Sequence, residues 1–272
     1  MPELPEVQTT VLGLKNKVLN RTFVDVWADT KKLFKNVPFS KFKKEIKNKK
    51  IKKIYRRGKN IIFELSNNYS ILVHQKMTGH LLYNKWKDDP MNSFIRVKFF
   101  LNNGKILALS DLRKFAKIEL HKKDSLEKEL SRLGPEPLEK SFTFNKLKRV
   151  LKKGRIKQVL MDQEVIAGIG NIYSDEILWS SKIHPEKETL KLSEKELKRI
   201  YKAIKGILSK GVELGGTSIS DYRDIEGKKG KFGDIRKVYR REGEKCPRCK
   251  TVIKRKKLAG RSSHFCPKCQ KL

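Results

Sequence analysis

The sequence predicts an α+β chain of several domains: a β-rich amino-terminal part led by a helix, a helical middle, and a small cysteine-bearing tail. Three observations carry this. Apolar spacing is helical up to residue 18, turns strand-like beyond it, and becomes helical again from Ser141. A stretch with glycine and two prolines at 133–138 separates the last two regimes. All four cysteines fall within the last 27 residues.

Composition sets the outer limits. The 272 residues carry 65 Lys plus Arg against 30 Asp plus Glu, a formal charge of +35. That length fits two or three domains. With 38% apolar and 35% charged residues a core can form, but much of the surface must be charged. A mean hydropathy of −0.61 and the lack of any apolar run of ~18 residues exclude a membrane-spanning helix. No secretory signal pattern opens the chain, so a cytoplasmic protein is expected. A charge this positive repels itself unless a polyanion neutralises it, and nucleic acid is the commonest one. General lysine enrichment is the other source of the charge, because 49 of the 65 basic residues are widely scattered Lys.

Each element follows from its residues. Leu4, Val7, Val11, Leu14 and Val18 line one face of a helix over 2–18. Ile61–Leu65, Ser70–Val73, Ile95–Leu101 and Ile106–Leu109 are short runs rich in Ile, Val and Phe, bounded by Asn, Gly and Asp. Asn103-Gly104 reads as a hairpin turn, since both residues accept positive φ cheaply. Pro135 and Pro137 remove donors and end the first domain at residue 134. Ser193-Glu194-Lys195-Glu196 is a capping box opening a long amphipathic helix that stops near Gly215-Gly216. Asp221–Gly233 lacks periodicity and is expected to be a mobile loop. The resulting division is 1–134, 135–225 and 226–272, with the cysteine module at about 238–272.

The cysteines stand as Cys246-Pro-Arg-Cys249 and Cys266-Pro-Lys-Cys269. Two residues between thiolates let both sulfurs of a knuckle reach one tetrahedral Zn²⁺ at ~2.3 Å. Two disulfides would need an oxidising compartment, which nothing suggests. A closed four-cysteine shell has no open position, so one structural zinc is expected to hold a hairpin, with His264 outside the shell. Lys254, Arg255, Lys256, Lys257 and Arg261 lie between the knuckles and suit phosphate, or form a solvated charged face.

At the amino terminus, the small residue after Met1 permits its removal, which would present Pro2 as a secondary amine. An α-amino group with a pKa near ~7.7–8 is partly neutral and nucleophilic at pH 7. Attack on an aldehydic sugar carbon would give an iminium, an electron sink for elimination, with Glu3 shuttling protons. From these residues alone the plainer reading is favoured: Pro2 starts a helix, with Glu3 and Glu6 complementing the helix dipole.

The chain resembles the formamidopyrimidine-DNA glycosylase family from end to end. The opening Pro2-Glu3-Leu4-Pro5-Glu6-Val7 is followed in register by Arg56-Arg57-Gly58-Lys59, Lys76-Met77-Thr78-Gly79 and Asp111-Leu112-Arg113-Lys114-Phe115. Asp162-Gln163, Ala167-Gly168-Ile169-Gly170-Asn171-Ile172-Tyr173, Gly215-Gly216-Thr217 and Gly260-Arg261-Ser262-Ser263-His264-Phe265-Cys266 continue it. The resemblance implies a β-sandwich with an amino-terminal helix, a helix–two-turn–helix domain and a zinc-finger hairpin. It also implies a bifunctional DNA glycosylase and apurinic/apyrimidinic lyase of bacterial, nucleoid-associated type, working as a monomer on double-stranded DNA that holds oxidised bases or abasic sites. Pro2 then matches the nucleophile and Glu3 the acid/base. Lys59 and Arg261 match the cations credited in β- and δ-elimination, where a positive charge stabilises each departing phosphate.

Met77, Arg113 and Phe115 match the trio that fills the gap left by an everted nucleotide; on composition alone Met77 and Phe115 read as core. Lys153, Lys157 and Asn171 match DNA contacts, Asn171 capping its helix toward a phosphate. The Arg113/Phe115 pair favours oxidised purines. An endonuclease VIII-like enzyme for oxidised pyrimidines and a non-catalytic zinc-dependent DNA-binding module are the alternatives. Three departures bear on base preference: Asn92-Ser93-Phe94 where histidines are common, Ser220 where a basic residue is frequent, and Arg240 where Gly is usual.

Overall fold

The computed structural model describes every residue except Lys85, Lys87 and Ser220. The sequence reading at Ser220 therefore lies outside the described residues. Helix α1 (Leu4–Val18) buries Leu4, Val7, Val11, Leu14 and Val18, and Lys15 and Lys17 in its last turn complement the helix dipole. Strands β1 (Phe23–Ala28), β5 (His80–Tyr83), β6 (Ile95–Leu101) and β7 (Ile106–Ser110) form an antiparallel sheet in the order β1-β6-β7-β5. Strands β2 (Ile51–Arg57), β3 (Asn60–Leu65), β4 (Tyr69–His74) and β8 (Lys117–Lys122) form a second, β2-β3-β4-β8.

One core joins the two sheets, as the sandwich reading requires. It takes Val26, Val97, Phe99 and Leu109 from the first sheet, Ile54, Ile61, Phe63, Val73 and Ile118 from the second, and Val11 and Leu14 from α1. The period of two assigns Ile61 and Phe63 to this core and sends Ile62 to the opposite face. There Ile62 and Leu72 meet Leu126 of α3 (Lys123–Ser131). Both faces of β3 are thus covered, which explains its unbroken apolar run. A short helix α2 (Phe39–Ile46) adds Phe42 and Ile46 to the main core. The expected Asn103-Gly104 turn closes β6 onto β7, with Gly104 at φ +71° and Leu101 N–H donating to Lys105 O at 2.9 Å.

The chain divides into two compact units. The first holds residues 1–131 and 214–233, the second 132–213 and 234–272. This differs from the sequence division at 134 and 225, because 214–233 returns to the first unit. It closes on itself through Lys231 N–H to Leu214 O and Phe232 N–H to Gly216 O, and Ile225 enters the sandwich core. The expected mobile loop is accordingly corrected. Tyr222, Ile225 and Phe232 are buried, and Asp224 Oδ1 accepts the N–H groups of Glu226 and Lys228 at 2.9 and 2.8 Å. Isolated anchors of this kind leave no periodic signal in a sequence.

The second unit contains α4 (Phe144–Val150), α5 (Ile156–Met161), α6 (Asn171–Ser181), α7 (Glu194–Glu213) and the hairpin β9 (Lys254–Leu258) with β10 (Arg261–Phe265). The capping box forms as expected: Ser193 N–H donates to Glu196 Oε2 at 2.9 Å and Glu196 N–H to Ser193 Oγ at 3.3 Å. A last short helix, α8, spans Phe232–Ile235. Among the described residues no helix is long and apolar enough to cross a membrane.

Candidate active site and nucleic-acid-binding elements

In the first unit the amino terminus is tied down by one carboxylate. Glu6, on the first turn of α1, accepts Glu3 N–H on Oε2 at 2.7 Å and Thr217 N–H on Oε1 at 2.6 Å. Its carbonyl accepts the Tyr222 hydroxyl at 3.1 Å. Gly216 stands at φ +81°, where a Cβ would lie 2.7 Å from Glu6 Oε1, so the Gly215-Gly216-Thr217 motif is what lets this segment close on the terminus. Pro2, Glu3 and Glu6 are buried. Burial pulls the Met1 α-amino group below its ordinary pKa, against the opposing charges of Glu3, Glu6 and Asp221, with Lys59 adding to the lowering.

Lys59 reaches this set from the β2–β3 turn. Arg57 pairs with Asn60 across a two-residue loop whose first position, Gly58, supplies φ +58°. Arg56 fastens the turn to α1, donating from Nε to Gln8 Oε1 at 2.9 Å and from Nη1 to Gly58 O at 3.0 Å. Lys59 itself is only 7% exposed, unlike a generic surface lysine. Beside it His74 accepts Lys76 N–H on Nδ1 at 2.9 Å. Burial, with Lys76, Lys59 and Lys117 nearby, pushes the His74 pKa down to about 3, so the ring is a neutral Nε2–H donor at neutral pH.

The two loops that carry Met77, Arg113 and Phe115 are held together. Buried Asp111 accepts the Thr78 hydroxyl and, at 2.8 Å, Ala116 N–H; Thr78 Oγ1 in turn accepts Arg113 N–H at 3.0 Å. Gly79 has no room for a Cβ, which would sit 2.5 Å from Gln75 O. The outcome is a half-buried Met77 and a Phe115 that is 50% exposed, with the Arg113 guanidinium 4.6 Å over its ring. Phe115 is therefore no core residue. The chain of contacts continues through His80, whose Nε2 lies 3.1 Å from Asn92 Oδ1, and Asn92 Nδ2 donates to Gly227 O at 3.4 Å. Asn92, one of the departures, is packed under the 221–233 segment. Arg223 donates from Nε to Asp89 at 2.9 Å alongside it.

In the second unit, Gln163 shapes the turn before α6. Its Nε2 donates to Met161 O and Ile169 O at 2.8 and 2.7 Å, and its Oε1 accepts Gly168 N–H at 2.9 Å. Gly170 occupies the cap position, so Asn171 is the first helical residue and not the cap expected from the sequence. Lys153 is exposed, as a DNA contact requires. Lys157 is a correction: it is 1% exposed, and its ammonium donates to Asp175 at 2.6 Å and to Asn171 O at 3.1 Å. Asp175 also accepts Ser263 Oγ at 2.9 Å and both His264 N–H and His264 Nδ1, at 2.9 and 3.0 Å. Lys157 thus ties α5 to the cysteine hairpin from inside. Glu176, whose pKa burial raises, similarly accepts the N–H groups of Lys237, Val238 and Tyr239.

The four cysteine sulfurs lie within 4.8 Å of one another. Tetrahedral Zn–S bonds of ~2.3 Å need S···S separations of about 3.8 Å, so the cluster suits one zinc ion. Burial pushes the Cys266 thiol up while hydrogen bonding with Thr251 pulls Cys249 down, and a bound cation favours the thiolate form of all four. The hairpin carries Lys254, Arg255, Lys256, Lys257 and Arg261 outward. Lys256 pairs with Glu186 at 2.6 Å, and Arg255 donates to Ser262 Oγ at 3.0 Å.

Residues 1–118 match the formamidopyrimidine-DNA glycosylase N-terminal domain and 133–223 the formamidopyrimidine-DNA glycosylase H2TH domain; 243–272 match the zinc finger found in FPG and IleRS. The formamidopyrimidine-DNA glycosylase of Pelotomaculum thermopropionicum is 42% identical over the whole of both chains. This chain belongs to the formamidopyrimidine-DNA glycosylase family. That of Bacillus cereus is 38% identical, with 99% of each chain covered. Among solved structures, a Lactococcus lactis FPG mutant bound to a Fapy-dG containing DNA superposes with a TM-score of 0.90 at 35% identity, covering all of both chains. Lactococcus lactis Fpg in complex with an abasic site containing DNA gives 0.90 at 35%, over 99% of this chain and 100% of that one.

Within this glycosylase fold, sequence reasoning singled out the four cysteines that the structure brings together and named Pro2, Glu3 and Lys59 as candidates, but it passed over three groups. Glu6 was read only as a dipole partner, although its spacing of three from Glu3 is that of a capping pair. His74 stands two residues before Lys76, the start of the Lys76–Gly79 motif. Asp175 shows no motif, because its partners lie 18 and 88 or 89 positions away.

Proposed function

We propose that this chain is a bifunctional glycosylase and abasic-site lyase that removes oxidised purines from double-stranded DNA, with Pro2 as nucleophile once Met1 is removed. The observation that carries the reading is the setting of Pro2: it and Glu3 are buried, Glu6 holds Glu3 N–H at 2.7 Å, and the Lys59 side chain, 7% exposed, lies close enough for its charge to act on the terminus. A secondary amine placed there would be neutral more often than an exposed one, and so nucleophilic. Its lone pair attacks C1′, the glycosidic bond breaks and the base leaves with the bonding electrons. Glu3 supplies the proton that opens the sugar ring, leaving an iminium between the Pro2 nitrogen and C1′. Loss of a C2′ proton then expels the 3′ phosphate, Lys59 stabilising the departing charge; a second elimination expels the 5′ phosphate, the step for which Arg261 is proposed. Water finally hydrolyses the imine and frees the amine.

Met77, Arg113 and Phe115 occupy the opened duplex, and exposure of a stacked Arg113–Phe115 pair supports that role. Lys153 and Asn171 serve as backbone contacts. The protein acts as a single cytoplasmic chain, which light scattering of the free and DNA-bound forms checks. The deciding experiment is borohydride trapping on an 8-oxoguanine duplex, with intact mass confirming loss of Met1. A covalent adduct is expected with the wild type and a loss of orders of magnitude with Pro2→Gly. Undiminished trapping by Pro2→Gly would assign the nucleophile to another amine, and faster cleavage of an oxidised-pyrimidine duplex would reassign the substrate.

A further inference from the structure

Trp179 lies in the last turn of α6, packed against the cluster of Val238, Ile253, Cys246 and Cys266. An indole N–H can only donate, and when half-buried it needs an acceptor. Here Nε1–H points at Cys246 Sγ, 3.5 Å away. Arg248, between the two cysteines of the first knuckle, grips the same residue twice. Its guanidinium lies 4.0 Å over the indole ring, and its Nη1 donates to Trp179 O at 3.1 Å. The knuckle and the end of α6 therefore hold each other through one side chain. Four thiolates around Zn²⁺ leave a formal charge of two minus, and a hydrogen bond to sulfur together with an adjacent cation offsets part of it.

We propose that Trp179 is a positioning residue for the zinc site: its N–H···S bond to Cys246, with the indole locked by Arg248, fixes the first knuckle and slows release of the metal. Trp179→Phe keeps the ring and its stack with Arg248 but removes the donor. Zinc transfer from the full-length variant to a chromogenic chelator should be on the order of tenfold faster than from the wild type. In the Co²⁺-substituted protein, the thiolate-to-metal charge-transfer band should move to lower energy, because an unbonded sulfur gives up its electrons more easily. A purely packing role would leave that band where it is. A measurement on the wild type alone guards against a variant that fails to load. In the ¹¹³Cd-substituted protein, one indole Hε1 should show scalar coupling to the metal across the N–H···S bond. Faster release with an unmoved band overturns the proposal, as does wild-type release by Trp179→Phe or the absence of any indole–cadmium coupling.

Discussion

Arg240 is held at φ +52°, a left-handed conformation that costs a side chain with a Cβ about 1 kcal/mol or more and glycine almost nothing. Among the described residues its guanidinium gets a distant contact in return, 5.8 Å from the Tyr239 ring. Arg240→Gly is therefore expected to raise stability by up to about 1 kcal/mol in urea titrations. A loss would mean that the arginine makes up its backbone strain in a contact other than this ring. His74 gives a pH dependence. Its folded pKa, about 3, lies below the ordinary ~6.5, so the unfolded chain binds the extra proton between those values. Stability from this group is complete above pH ~6.5 and is lost as the pH falls toward 3. Melting temperatures measured across that window should fall less steeply for His74→Gln, which cannot take up a proton; parallel curves would exclude His74 from the acid limb.

Residue types were legible where chemistry demands a fixed set, as with the four cysteines whose sulfurs the structure gathers within 4.8 Å. Direction was not legible. Lys153 and Lys157 look alike in the sequence, yet one faces water and the other a carboxylate 18 residues on.

At the scale of elements, periodicity served well wherever burial is regular. α1, the β3–β4 and β6–β7 runs and the capped α7 all follow from spacing, because a buried face forces period 3.6 or 2 on the residues. It failed for 221–233, where three separated side chains anchor an irregular segment and no period exists to be seen. The glycines that close this segment make a sharper test than its composition. Gly216→Ala combines φ +81° with a Cβ 2.7 Å from Glu6 Oε1, whereas Gly104→Ala meets open space at φ +71°. Gly104→Ala should cost about 1 kcal/mol, and Gly216→Ala clearly more, in chemical denaturation. Equal costs would show that the Glu6–Thr217 tie yields without penalty.

For the whole molecule, a formal charge of +35 guarantees some affinity for any polyanion, so affinity alone is a poor reporter of the site. The salt dependence separates the contributions. Lys153→Ala should lower the slope of log affinity against log salt by about 0.9, the value of one phosphate contact on duplex DNA. Lys157→Met should leave the slope unchanged while lowering the melting temperature, since its charge is spent on Asp175. Phe115→Ala should also leave the slope unchanged but reduce the preference for a lesion duplex over an undamaged one. A slope that drops with Lys157→Met would put that ammonium back on the DNA; undiminished lesion preference in Phe115→Ala would remove the ring from the opened duplex.

The return of 214–233 to the first unit also has a consequence for biosynthesis. The ribosome finishes residue 131 and must then make all of 132–213 before the segment that supplies Thr217, Tyr222 and Ile225 exists. At roughly 5–20 residues per second that interval lasts on the order of 4–16 s. During it the nascent sandwich waits with the Ile225 site on its core open and Thr217 not yet made to reach Glu6, while helices of the second unit are already leaving the exit tunnel.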